Sequence, residues 1–139
     1  MFSDEFWNNP GSTQVLTQKA IFGFGFTSSG YNSVTGITNL VSDSGVVASD
    51  TTGVGTGRRT LAASGYGEDK AIFGFGRIAD VSLTGITNLV SNSGVVASDT
   101  AAVGTAKINL GAAAYGGDKA IFAFGTTGSM TASSNLVSN

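Results

Sequence analysis

One short phrase limits what this chain can become. Lys-Ala-Ile-Phe-Gly-Phe-Gly occupies 19–25, returns unchanged at 70–76, and returns again at 119–125 with Ala123 in place of a glycine. A second block, TGITNLVSDSGVVASDT at 35–51, recurs at 84–100 with Asn92 where the first copy has Asp43, and NLVSN at 135–139 is its third appearance. Between them, TLAASGYGEDK at 60–70 aligns with NLGAAAYGGDK at 109–119. Self-similarity at roughly fifty residues marks a repeat architecture, in which each unit hides its apolar face on a neighbour. The sequence divides into a nonrepetitive segment at 1–13 and a repeat domain at 14–139, with units at about 14–56, 57–105 and 106–139.

Within one unit, TLAASGY, KAIFGF, ITNLVS and GVVAS are short, rich in β-branched and aromatic residues, and bounded by Gly, Asp, Asn or Ser. That pattern predicts four strands, and no stretch carries a sustained helical stripe. Gly-Glu-Asp and Gly-Gly-Asp join the first two segments and suit tight hairpins. Strict alternation along KAIFGF puts Ala71, Phe73 and Phe75 on one face and Ile72, Gly74 and Gly76 on the other. Phenyl rings of one unit are then expected to settle on the bare glycine backbone of the next, with Phe22, Phe24, Phe73, Phe75, Phe122 and Phe124 as the packing residues.

Charged residues are 12% of the chain, about half the usual share, the 21 glycines are about twice theirs, and the net charge is −2. With no basic surface, neither nucleic acid nor an anionic membrane is an expected partner. No run approaches the eighteen or so apolar residues that span a bilayer. The chain has no cysteine and no histidine, so disulfides, imidazole or thiolate nucleophiles and most transition-metal sites are excluded. No cofactor and no enzymatic activity are expected. The opening MFSDEFWNNP lacks the basic and apolar regions of a signal peptide, so synthesis in the cytoplasm is expected.

A four-stranded unit in which Arg58 and Arg59 precede TLAASGYG, and KAIFGFG fills the place of a double-glycine strand, resembles the kelch type of β-propeller blade. Phe75 splits the glycines, and the late tryptophan of that pattern is missing. The resemblance implies an all-β chain of about three kelch-like blades. The oxidases built on that fold need a Cys-Tyr cofactor and histidine ligands, which this composition cannot supply. Residues 69–76, 88–105 and 118–125 are also similar to DKAIFGYG and NLVSNTGVVATDTTGVGTAR arrays in proteins of tailed bacteriophages and environmental bacteria. That likeness implies a virion or cell-surface protein of structural or adhesive character, with a protein or glycan partner.

Propellers need four to eight blades, so a homo-oligomer is expected: a dimer closing a six-bladed ring, or a longer stack. Phe2, Phe6 and Trp7 of the N-terminal segment are candidates for a donated strand or apolar plug on the last unit. Trp7, Tyr31, Asn32, Arg58 and Arg59 are the candidate binding residues, the aromatics for sugar stacking and the rest as loop groups. GVGTGRR at 53–59 has the look of a phosphate loop, yet a strand pattern follows it and its counterpart AVGTAKI has lost two glycines. Asp43, Asp50 and Asp99 fit no calcium-loop spacing and read as turn formers. Glu68 and Asp69 adjoin, but Gly117 and Asp118 stand in their place in the next unit, which argues against an acid–base pair.

Overall fold

Short β-favouring segments separated by glycine turns cannot bury themselves singly, and they fold here as one small sheet per unit. The computed structural model describes residues 19–30, 32–67, 69–78 and 81–138, and every regular element among them is a strand. β1 (Ala20–Phe26) pairs with β2 (Val34–Val41). β3 (Ala62–Tyr66), β4 (Lys70–Gly74) and β5 (Thr87–Val90) form the second sheet, and β6 (Gly111–Tyr115), β7 (Lys119–Ala123) and β8 (Ser134–Ser138) the third. All pairs are antiparallel and each three-stranded sheet runs in chain order.

The expected hairpins are present. Gly67 at φ 59° turns β3 into β4, and Gly116 and Gly117 at φ 62° and 77° turn β6 into β7. Register is kept between units: Tyr66 faces Lys70 as Tyr115 faces Lys119. A fixed register keeps the same side chains on the same face in each copy.

The fourth strand of the expected blade is not formed as a strand. GVVAS meets its sheet through single bridges, Val47 to Val41 and Val96 to Val90, with Ala48 and Ala97 donating to the carbonyls of Leu40 and Leu89 at 2.8 Å. Gly45 at φ 79° and Gly94 at φ 82° turn the chain sharply just before these bridges, and a second bridge follows in each unit, Thr51 to Thr38 and Thr100 to Thr87, before the chain leaves for the next unit. The first and second units are therefore small sheets with a bridged outer segment. Residues 14–18 of the first unit lie outside the described residues.

A second correction concerns the faces of β4. Ala71 and Phe73 do share one face and Ile72 the other, but Phe75 sits at φ 64° and ends the alternation. Its ring joins Ile72 in a cluster with Tyr66, Ala120 and Phe122, while Phe73 packs with Val90 and Val96. Phe24 and Phe124 repeat the same left-handed backbone at φ 65° and 63°, each followed by a left-handed glycine. So the strand at 70–76 sends its first phenyl group to the unit behind and its second to the unit ahead.

Candidate functional site: the seams between units

The two seams are near copies of one another. At the first, the ring of Phe24 meets that of Phe73 edge-on at 5.1 Å between centroids; at the second, Phe75 meets Phe122 at 5.5 Å. A Cβ built on Gly74 would stand 3.1 Å from Phe122 Cζ, so the bare backbone expected beneath the ring is there. Aromatic pairs at these separations add roughly 0.5–1.5 kcal/mol beyond the area they bury. Phe73, Phe75 and Phe122 are buried, whereas Phe22 and Phe124, also expected to pack, are 67% and 64% exposed.

A buried cation closes each seam. Arg58 is fully buried, with its guanidinium carbon 4.2 Å above the Phe24 ring. Its Nε donates to the Phe75 carbonyl at 2.9 Å and a terminal nitrogen donates to Thr56 O at 3.2 Å. Lys107 takes the same place at the second seam, fully buried, with Nζ 5.0 Å from the Phe75 ring and donating to Ser133 O at 3.0 Å. A cation over a ring in a desolvated place is worth on the order of 2 kcal/mol. Burial pushes the Arg58 guanidinium down to about 10, with the negative charge of Asp99 pulling the other way, so it keeps its proton at neutral pH. Burial likewise lowers Lys107.

The linker between the first two units is latched by a carboxylate. Asp99 accepts from the Thr56 N–H at 3.1 Å, from the Thr56 hydroxyl at 2.6 Å and from the Asn88 amide at 2.9 Å. Gly55 lies so close to the Asn88 amide that a Cβ there would overlap it. Burial alone would raise the Asp99 carboxyl, but the donors from Thr56 and Asn88 and the charge on Arg58 outweigh it and hold it below its ordinary value. The glycine loop at 53–59 thus does meet an anion, and the anion is the protein's own.

Arg58 is consumed inside the fold, and this corrects its place among the candidate binding residues. Arg59 is nearly buried too, its guanidinium carbon 4.3 Å over the ring of Phe26. Asn32 is exposed in the turn before β2, where its carbonyl accepts from the Val34 N–H at 3.0 Å. Trp7 and Tyr31, with Phe2, Phe6 and Glu68, lie outside the described residues. Asp50 pairs with Asn39 at 2.8 Å as Asp99 does with Asn88, and Asn92 donates to Asp69 at 2.9 Å. Among the described residues no three acidic groups gather to hold a metal ion. No described helix is long and apolar enough to cross a membrane.

Sequence reasoning missed Asp99 as a long-range latch. The signal was present: Asn39 with Asp50, and Asn88 with Asp99, recur at the same spacing, and Gly-Thr recurs in both linkers at 55–56 and 104–105. A turn former needs neither coincidence. No protein-family model matches the chain, and no curated protein matches it.

Proposed function

We propose that this chain is a non-enzymatic structural module that works by stacking, adding further copies of itself end to end through the seam it already uses internally. The observation that carries this is the pairing of second phenyl with first phenyl at both seams, with Phe124 and Phe22 left exposed as the next pair in that series. Two further groups follow the same order. Gly94 of the second unit lies against Leu40 of the first, and their counterparts in the first and third units are the Gly45 turn, with Val47 62% exposed, and Leu136, 58% exposed. Large apolar side chains gathered at two opposite ends are unfavourable in water and mark contact surfaces.

A head-to-tail contact of this kind closes into a ring if the turn per unit allows and grows into a filament if it does not. Two chains closing a six-bladed, propeller-like ring are the smallest such assembly with an ordinary blade count. The likeness of the repeats to arrays in tailed-bacteriophage proteins supports a place in a virion or on a cell surface, where a protein or glycan would be met by the loops. Light scattering coupled to size-exclusion chromatography tests the stacking. A mass at a multiple of 13.9 kDa that falls to a single chain in Phe22→Ser and Phe124→Ser is expected, and a wild-type single chain at high concentration overturns it.

A further inference from the structure

The connection that follows each KAIFGFG strand breaks the repeat. It runs over residues 27–33 in the first unit, 78–82 in the second and 127–129 in the third, and the three differ in length and, apart from a closing serine, in sequence. The stems beneath them are nevertheless alike: Phe26 pairs with Val34, Arg77 with Leu83 and Thr126 with Met130. A constant stem under a changing tip is how repeat proteins build the face that meets a ligand, since packing between units does not dictate those residues. All three connections leave the same end of their sheets, opposite the hairpin turns that carry Asp69 and Asp118. Between the first two stems the chemistry is cationic. Arg59 and Arg77 stand directly opposite each other, their main chains bonded both ways at 3.0 and 2.9 Å, so both side chains leave the same face. Like charges so placed repel, and the bridge itself does not require them, because Ile108 and Thr126 form it one unit later. Arg59 lies nearly buried over one face of the Phe26 ring, whereas Arg77 is half-buried and Phe26 is 51% exposed. In sequence the three connections hold one acidic residue, Asp80, which lies outside the described residues.

Resting on the reading that the loops meet the ligand, we propose that this rim binds a carboxylated sugar, with its carboxylate on Arg77 and its ring against the open face of Phe26. A guanidinium is a planar fork that takes a carboxylate through two parallel bonds, and Arg77 is the arginine of the pair that solvent reaches. Arg59 stays behind the phenyl group, holding that ring in place and adding positive charge without touching the ligand. A carboxylate between the two also relieves their mutual repulsion. The apolar C–H face of a sugar suits the exposed side of the ring, which a plain acidic peptide does not use. Residues 27–33, Thr-Ser-Ser-Gly-Tyr-Asn-Ser, have the composition of loops that recognise polar ligands by adaptable hydrogen bonding. The opposite end of the strands, with Asp43, Asp69 and Asp118 in its turns, has the wrong charge for the same ligand.

The test titrates the full chain calorimetrically with tetragalacturonate and sialyllactose as acidic sugars, maltotetraose as a neutral sugar and hexaglutamate as an acidic peptide. Saturable binding of at least one acidic sugar is expected, about tenfold or more tighter than maltotetraose or hexaglutamate, and weakening as salt is raised. Arg77→Gln and Phe26→Leu should each lower that affinity about tenfold, whereas Lys19→Gln, an exposed cation at the far end of the sheet, should bind as wild type. Should Arg77→Gln not fold, Phe26→Leu and the salt dependence decide the matter. Failure of both acidic sugars to bind, hexaglutamate binding as tightly, or wild-type affinity in folded Arg77→Gln or in Phe26→Leu would each overturn the proposal. Maltotetraose binding as tightly and weakened by Phe26→Leu overturns the acidic ligand alone and leaves the loops as the contact surface. Stacking is read apart from this, in the light-scattering mass, which none of the four compounds should change.

Discussion

Thr56 gives both its N–H and its hydroxyl to the carboxylate of Asp99, tying the linker that leaves the first unit to the outer segment of the second. Asp50 holds the matching position one unit earlier and pairs with Asn39, but no linker among the described residues donates to it in this way. Hydrogen bonds to a charged group contribute about 1.5–3 kcal/mol when shielded and less where solvent reaches them. Asp99→Ala should therefore cost about 1–2 kcal/mol in urea unfolding, and Asp50→Ala about 0.5 kcal/mol or less. Equal losses at the two sites would mean that the latch to Thr56 contributes nothing.

The same carboxylate makes stability depend on pH, with a definite sign. Its folded pKa lies below the ordinary 3.8, so on acidification the unfolded chain takes up this proton first. The contribution of Asp99 is complete above the ordinary value and drains away as pH falls through it toward the depressed folded one. Urea midpoints measured from about pH 6 down to about pH 3 should fall, and the fall should be smaller in Asp99→Asn, which has no proton to gain. Parallel curves for the two proteins would remove Asp99 as the cause.

Arg58 and Lys107 make a natural comparison, since the same buried seat holds a guanidinium in one seam and an ammonium in the other. Arg58 bonds the carbonyls of Phe73 and Phe75 while covering Phe24; a lysine keeps the charge and the ring contact but not the fork. Arg58→Ala should destabilise by about 2–4 kcal/mol, because it leaves buried carbonyls unpaired and a gap beside the ring. Arg58→Lys should cost less, about 1–2 kcal/mol, because the charge and the ring contact stay while the paired bonds to the Phe73 and Phe75 carbonyls do not. Thermal or urea unfolding of the pair checks the ordering.

The repeat, the strands built from TLAASGY, KAIFGF and ITNLVS, the glycine hairpins and the nesting of Phe122 on Gly74 were legible in the sequence, because each follows from period, turn chemistry or side-chain size. The direction of Phe75 was not. Alternation assumes extended backbone, and a phenylalanine in the left-handed region breaks it; the only cue is the glycine after each such phenylalanine, Gly25, Gly76 and Gly125, all at positive φ. The outer strand failed for a related reason: GVVAS has strand composition, but two isolated bridges, at Val47 and Thr51 and again at Val96 and Thr100, hold this stretch to its sheet in place of a continuous ladder. Arg58 and Arg59 looked like loop groups because charge usually means exposure, and nothing local reveals that a ring and main-chain oxygens of two units surround Arg58. The latch at Asp99 needed the coincidence of two spacings, which only a comparison of units brings out.

The six phenylalanines look interchangeable in sequence and should separate sharply by experiment. Phe122 is fully buried between Phe75 and the backbone of Gly74, so Phe122→Ala should remove about 3–5 kcal/mol and unfold much of the chain at ordinary temperature. Phe22, 67% exposed, has little to lose within its own chain; Phe22→Ala should shift the unfolding midpoint by less than about 1 kcal/mol equivalent. If the end faces are stacking surfaces, the same substitution should nonetheless weaken self-association, because the ring then loses the partner that Phe73 finds in Phe24. Unfolding followed at several protein concentrations separates the two effects: concentration dependence should vanish in Phe22→Ala and persist in a surface control such as Val81→Ala, itself 84% exposed. A Phe22→Ala protein as destabilised as Phe122→Ala at every concentration would mean that the exposed ring is packed in solution by something within its own chain.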